Sequence, residues 1–318
     1  MFVSVLLTRK VISMRHFIDL ADWSTAELRD LLSLATRLKQ EWQRGGNQPV
    51  LQNKVLGLIF QKPSLRTRVS FEVGMTHLGG TSLTLGPDEI GFGKRESIAD
   101  IARVMSRYVH VVMARVFDHA HLVEMARWSD IPIINGLSDT DHPCQALADI
   151  LTIHEHFGRT EGVEIAYVGD GNNVATSLLQ AATHFGMSFR IAAPPGYELD
   201  EDTLSEAGEI AAGTGATIRT FHDPRAAVEG ADVIYTDTWI SMGWEKEAEQ
   251  RVKVMQPYQV NAALVREAKP NAIVMHCLPA HRGQEITDEV ADSAQSVIFD
   301  QAENRMHAQK AVLVKLLI

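Results

Sequence analysis

The stretch QKPSLRTRVSFE, residues 61–72, holds Ser64, Arg66, Thr67 and Arg68 within five positions. It follows the apolar run VLGLIF (55–60), which reads as a buried strand, and VSFEVGMTHL begins a helical pattern. A strand that turns into a helix through hydroxyls and guanidiniums is equipped to hold an anion. The first backbone N–H groups of a helix have no internal partner and point at a ligand. Ser64 and Thr67 add hydroxyl donors, and arginine forks match phosphate geometry. A capped helix with solvated arginines is the plainer alternative, but capping by serine or threonine does not need the arginines.

Other reactive groups also fall at strand ends. VHVVMAR closes on Arg115, and IPIINGLSDTD leads into His142-Pro143-Cys144-Gln145. Proline suits the first turn of a helix, which puts His142 at a helix entrance with Gln145 three residues on, on the same side. An imidazole and an amide can both donate to an uncharged carbonyl oxygen; a helix cap with a polar shoulder explains the tetrapeptide equally well. TDTWISMG (236–243) ends a strand with Asp237 and is followed by Ser241 and Met242. MHCLPAHRG (275–283) ends another with Cys277 and Leu278. A carboxylate and a thiol in one half of the chain could converge on an amine, although an inert buried thiol is the commoner fate of a free cysteine. The Leu278-Pro279 bond is a candidate for the cis form.

Competing chemistries fit less well. VGDGNN (168–173) follows a strand and opens a helix, but Val174 stands where a third glycine would be, and FRIAAPPG ends without the acid that holds a ribose. Asn172 and Asn173 at that helix entrance suit a carboxylate better than a pyrophosphate. Among 13 histidines, His154/His156 and His119/His121 are spaced two apart and splay, and no cysteine pair has zinc spacing. No required metal and no cofactor is expected. A Ser-His-Asp hydrolase lacks its GxSxG turn.

The elements that must position these groups alternate along the chain. The patterns give helix–strand–helix order to about residue 155, and the order repeats to the C-terminus, where SVIF reads as a short strand before a final helix. Such alternation implies an α/β fold of two doubly wound domains. Each is a mainly parallel sheet flanked by helices, with ligands beyond the strand carboxyl ends and the active site in the interdomain cleft. The length of 318 residues fits two domains. A net charge of −10 argues against nucleic acid or an anionic membrane as partner, so arginines must build a local positive pocket. Two distant cysteines and the absence of a membrane-length apolar run point to a cytoplasmic protein. MRHFIDLADWSTAELRDLL, opening at Met14, looks like a natural start, and residues 1–13 read as an N-terminal extension.

PSLRTRVSFE, MARVF, HPCQALAD, VGDGNN, DTWISMG, HCLPAHRG and FDQAENRMHA occur in that order. In this series the chain closely resembles the aspartate/ornithine carbamoyltransferase family, from residue 14 to the end, and its ornithine branch in particular. DTWISMG with HCLP is the discriminating pair. The resemblance implies a carbamoyl-phosphate domain at 14–150 with a C-terminal helix, 303–318, packed back on it, and an ornithine domain at 151–302. It implies a homo-oligomer, a trimer or a multiple of trimers, with sites near subunit contacts. Carried over by motif, Ser64, Leu65 through its backbone, Arg66, Thr67 and Arg115 resemble phosphate ligands. His142 and Gln145 with Arg115 resemble the groups on the carbamoyl oxygen and amide. Asn173, Asp237, Ser241 and Met242 resemble an ornithine site, and Cys277, Leu278 and Arg305 the residues at the reacting centre. Arg68 looks structural. Two departures from the family pattern are Leu65 in place of a commoner threonine and Asp88 where glutamine is expected, and no residue is carried over from the loop holding Asp88.

The reaction so implied is direct carbamoyl transfer from carbamoyl phosphate to L-ornithine, giving citrulline and phosphate, a step of arginine biosynthesis. Arg115, His142 and the Thr67 hydroxyl would meet the charge on the carbonyl oxygen. Asp237 and Cys277 would receive an uncharged δ-amine. A carbamoyltransferase for another acceptor (aspartate, putrescine or an acylated ornithine) and a non-catalytic relative are the alternatives.

Overall fold

The computed structural model describes residues 15–91, 95–240 and 247–318. The proposed extension 1–13, and Ser241 and Met242, lie outside the described residues. The first half runs α1 (Thr25–Gln43), β1 (Val55–Phe60), α2 (Leu65–His77), β2 (Thr81–Leu85), α3 (Pro87–Ile90), α4 (Ile98–Tyr108), β3 (Val111–Arg115), α5 (Ala120–Trp128), β4 (Ile133–Leu137) and α6 (Pro143–Phe157). The second runs β5 (Glu164–Val168), α7 (Asn173–His184), β6 (Ser188–Ala192), α8 (Glu201–Thr214), β7 (Ile218–Phe221), α9 (Pro224–Val228), β8 (Val233–Thr236), α10 (Ala248–Met255), α11 (Ala262–Val265), β9 (Ile273–His276), α12 (Asp288–Ala291) and α13 (Ile298–Leu317).

Every strand pair is parallel. The sheets have orders β2-β1-β3-β4 and β7-β6-β5-β8-β9. Strand order reverses between β1 and β3 in the first sheet and between β5 and β8 in the second. Loops leaving neighbouring strands there diverge to opposite faces and open a crevice at the carboxyl ends. The candidate residues sit at these reversals: Ser64–Thr67 after β1 and Arg115 at the end of β3, Asn172 and Asn173 after β5 and Asp237 after β8.

The helices dock because their apolar stripes are continuous. α1 starts with a full capping box between Ser24 and Glu27 and buries Leu28, Leu31, Leu32, Ala35 and Leu38. One core runs from Phe17 and Trp23 through α6 and α7 to Leu313, so the two halves share apolar packing. α13 lies against α1, α2 and α6 of the first half while also touching β9 of the second.

Three sequence readings are corrected. α2 begins at Leu65, a turn before VSFE, because Ser64 adopts an extended φ of −150° and caps the helix, accepting from the Thr67 N–H at 3.4 Å. The predicted SVIF strand is absent. Ser296 makes an isolated bridge to Val274, and the chain winds into α13 at Ile298, with Ile298 buried and Phe299 exposed. β2 and β7 escaped the sequence reading because both are edge strands, half-exposed and without an apolar run.

Candidate active site

A cavity of about 690 Å³ lies between the carboxyl ends of the two sheets. Its walls include Ser64, Arg66, Thr67, Arg115 and His142 from the first half, Asn172, Asn173, Asp237, Cys277 and Leu278 from the second, and Arg305 from α13.

One end is cationic. The Thr67 hydroxyl accepts from Nη2 of Arg305 at 2.8 Å and lies 3.5 Å from Nη1 of Arg115. Nη1 of Arg305 also donates to Oε1 of Gln145 and stands 3.3 Å from Nε2 of His142. Burial, together with the neighbouring charges of Arg305 and Arg66, lowers the pKa of Arg115 to about 10. Burial likewise lowers Arg66 and Arg305. All three remain cations at neutral pH. Crowding like charges beside the start of α2 is unfavourable by itself, and an anion placed among them relieves it.

Burial, reinforced by Arg305, Arg115 and Arg66, holds the pKa of His142 well below the usual histidine range, so the ring is neutral. A guanidinium only donates, so Nε2 of His142 must accept and the ring proton sits on Nδ1. That Nδ1 is buried with no hydrogen-bond partner among the described residues. The His142 N–H donates to Oγ of Ser177 (2.8 Å), whose hydroxyl donates to Asp141 (3.1 Å), which anchors the start of α6 to α7.

The other end holds a carboxylate between two donors. The Cys277 thiol donates to Oδ1 of Asp237 at 2.9 Å, and Nδ2 of Asn172 donates to Oδ2 at 2.8 Å. Burial and the adjacent Asp237 push the Cys277 pKa well up, so sulfur is present as thiol. Asn172 serves twice, because its Oδ1 caps α7 by accepting from the Val174 and Ala175 N–H groups. Asn173 donates to the Ser138 carbonyl at 2.6 Å, linking the halves across the cleft. Cys277 and Leu278 precede a cis Leu278-Pro279 bond.

Two of the sequence candidates do not line the cavity. Leu65, the first residue of α2, is 74% exposed, and Gln145 is buried and bonded to Arg305. Arg68 pairs with Glu72 at 3.0 Å outside the cavity. The sequence reading also missed Asp170, which lines the cavity and pairs with Arg251 at 2.7 Å. Its partner is 81 positions away and no local pattern marks it. The glycines of VGDGNN serve the chain itself. Gly169 has φ of +142°, and a Cβ on Gly171 would meet the Glu198–Leu199 backbone at 2.5 Å.

Three potential metal ligands, Asp237, His276 and Cys277, lie within 4.8 Å of one another. They do not fit an ion. Nδ1 of His276 accepts from the Leu278 N–H (2.9 Å), so Nε2 carries the proton toward Glu285 (3.1 Å), and the thiol proton is held by Asp237.

Two parallel sheets facing one cleft, with three arginines opposite a carboxylate–thiol pair, define a two-domain α/β protein with a candidate active site between its halves. Comparison with known proteins makes this specific. Residues 15–155 match the carbamoyl-P binding domain of the aspartate/ornithine carbamoyltransferases, and residues 161–316 match their Asp/Orn binding domain. The chain is 54% identical over 303 residues to an ornithine carbamoyltransferase of Methanospirillum hungatei, covering 95% of this chain and 99% of that protein. The solved ornithine carbamoyltransferase of Pyrococcus furiosus superposes with a TM-score of 0.92 at 52% identity, covering 95% and 96% of the two chains. The anabolic ornithine carbamoyltransferase of Campylobacter jejuni superposes with a TM-score of 0.91 at 38% identity, covering 95% and 99%. The chain belongs to the aspartate/ornithine carbamoyltransferase family. No helix among the described residues is long and apolar enough to cross a membrane.

Proposed function

We propose that the protein is an ornithine carbamoyltransferase, moving the carbamoyl group of carbamoyl phosphate to the δ-amine of L-ornithine to give L-citrulline and phosphate. The observation that carries this reading is the convergence of Arg66, Arg115 and Arg305 with the start of α2 on one side of a cavity whose other side holds Asp237 and Cys277. The relatives named as ornithine carbamoyltransferases support the acceptor, and the anabolic name of the Campylobacter jejuni enzyme supports a place in arginine biosynthesis.

In this reading the phosphate group docks on Ser64, the Leu65 backbone, Arg66, Thr67 and Arg115. The Nδ1–H of neutral His142, with Arg115 and the Thr67 hydroxyl, receives the carbonyl oxygen as it gains charge in the tetrahedral centre. Preorganised donors of this kind typically contribute about 3 kcal/mol each. Arg305 and Gln145 hold the carbamoyl end from behind, and Leu278 stands beside it. Asn173, Asp237, Ser241 and Met242 take ornithine. The guanidinium charges across the cavity favour loss of a proton from the δ-ammonium, and Asp237 with the Cys277 sulfur orients the neutral amine. The amine adds to the carbonyl carbon to form the new C–N bond; as the tetrahedral centre collapses the C–O bond to phosphate breaks, and the departing phosphate takes the amine proton. No protein nucleophile or cofactor is needed.

The domain limits follow as 14–150 with 303–318, and 151–302. A trimer or a multiple of it fits an exposed apolar stripe of Leu65, Val69 and Val73 along α2, beside Leu83 on the edge strand β2. A cytoplasmic setting fits two buried, unpaired cysteines. The test is citrulline formation from carbamoyl phosphate with a panel of acceptors: ornithine, aspartate, putrescine and acetylornithine. Turnover with ornithine alone is expected, and preference for another acceptor overturns the assignment. Light scattering tests the assembly.

A further inference from the structure

Asp149 lies on α6, is fully buried, and takes no part in the chemistry above. Its Oδ1 accepts from Nε2 of Gln145 and from Nε2 of Gln301, both at 2.8 Å, and its Oδ2 accepts from the Tyr235 hydroxyl at 3.1 Å. Each donor stands next to a cavity residue on its own element. Gln145 holds Arg305 directly. Tyr235 on β8 precedes Asp237 by two positions, and Gln301 precedes Arg305 by one helical turn on α13.

We infer that Asp149 is a positioning residue for the reaction: its carboxylate fixes which way two glutamine amides face, and so sets both the Arg305 guanidinium and the end of β9. An amide side chain has one donor end and one acceptor end, and a carboxylate accepts only. Asp149 therefore takes the NH₂ end of each glutamine and leaves the oxygens pointing away. Oε1 of Gln145 then meets Arg305, which can only donate. Oε1 of Gln301 accepts from the His276 N–H at 2.9 Å, one residue before Cys277. If either amide turned over, its NH₂ would face another donor in the buried interior and both would be left unpaired. The third bond ties the node to β8. One carboxylate thus links α6, α13, β8 and β9; Arg305 lies on α13, and His142, Asp237 and Cys277 lie one residue outside the ends of α6, β8 and β9. Burial raises the Asp149 pKa to about 7 against its three hydrogen bonds and the charge of Arg305, so the accept-only carboxylate that orients the amides prevails above that pH.

The inference rests on the carbamoyl-transfer reading for what the cavity binds, so its test reads binding separately from turnover. Carbamoyl phosphate affinity is measured by calorimetry without any acceptor, alongside steady-state citrulline formation, in the full-length wild type, Asp149→Asn and Tyr235→Phe. In Asp149→Asn the amide presents one accepting oxygen in place of two, and a loss of affinity of about tenfold is expected, with kcat falling further. Tyr235→Phe keeps both glutamine bonds to Asp149 and removes only the hydroxyl, which Gln301 also contacts at 3.0 Å, so the ornithine KM should rise while carbamoyl phosphate affinity stays within twofold of wild type. A folded Asp149→Asn protein with wild-type affinity and kcat overturns the proposal. Should that variant not fold, an unchanged ornithine KM in Tyr235→Phe overturns it instead. A wild type that binds carbamoyl phosphate but makes no citrulline defeats the transfer reading and leaves the affinity comparison in force.

Discussion

Arg66 and Cys277 face the same cavity from opposite sides, and removing each should damage a different substrate. Arg66→Ala deletes a guanidinium fork at the start of α2, where the proposed phosphate site lies. A charge-assisted bidentate contact in a sheltered site typically contributes about 3 kcal/mol, so kcat/KM for carbamoyl phosphate should fall about a hundredfold or more. Unchanged affinity for carbamoyl phosphate would rule out the anion site. Cys277→Ala removes the donor on Oδ1 of Asp237 and the sulfur proposed to face the ornithine amine. It should raise the ornithine KM and lower kcat while carbamoyl phosphate affinity stays near wild type, which initial-rate kinetics varying each substrate in turn will read. Both residues are conspicuous in the sequence, being a cluster of unusual types and a lone thiol at a strand end. The dual bond of Asp237 to Cys277 and Asn172 is not, since those partners lie 40 and 65 positions away.

At the scale of elements, helix starts do much of the positioning. α2 and α7 both begin beside the cleft, and each has a side-chain cap that also fixes site geometry. Asn172→Ala should therefore act twice. Loss of the cap on α7 should lower stability by about 1 kcal/mol, seen as a lower thermal midpoint. Loss of the amide donor to Asp237 should raise the ornithine KM, which a cap lost far from the site would leave alone. The alternation of strands and helices was readable because parallel strands buried on both faces are continuous apolar runs, such as VLGLIF. Edge strands β2 and β7 were not readable, because exposure on one side removes that run. The first turn of α2 was missed because SLRTR has no apolar period, and the cap rather than the periodicity decides where that helix begins.

For the whole molecule, α13 closes the chain onto the first half and brings Arg305 into the cleft. Its docking face includes His307, buried beside Lys310, Lys39 and His77. Burial and those neighbours lower the pKa of His307 to about 3 from 6.5. The unfolded chain therefore binds the proton more readily than the folded one. The contribution of His307 to stability is complete above pH 6.5 and is lost as pH falls from there toward 3, by up to about 1.4 kcal/mol per pH unit. Buried His142 acts with the same sign. The thermal midpoint should fall steadily over that range, and His307→Gln should flatten the slope while leaving the site intact. Equal slopes in both proteins would show that α13 docks without regard to this charge.

The sequence by itself determined the α/β class, the two-half organisation and the identity of several of the groups that line the cleft, because burial periodicity and rare side-chain clusters are local properties. It also carried the motif order that marks the family. Only the tertiary structure decided the rest: that β1 and β3, and β5 and β8, are the reversals that open the crevice; that the ring proton of His142 sits on Nδ1; and that Gln145 is buried and bonded to Arg305. Each of these depends on which distant atoms meet, and hydrogen-bond direction is set by the partner, not by the residue's place in the chain.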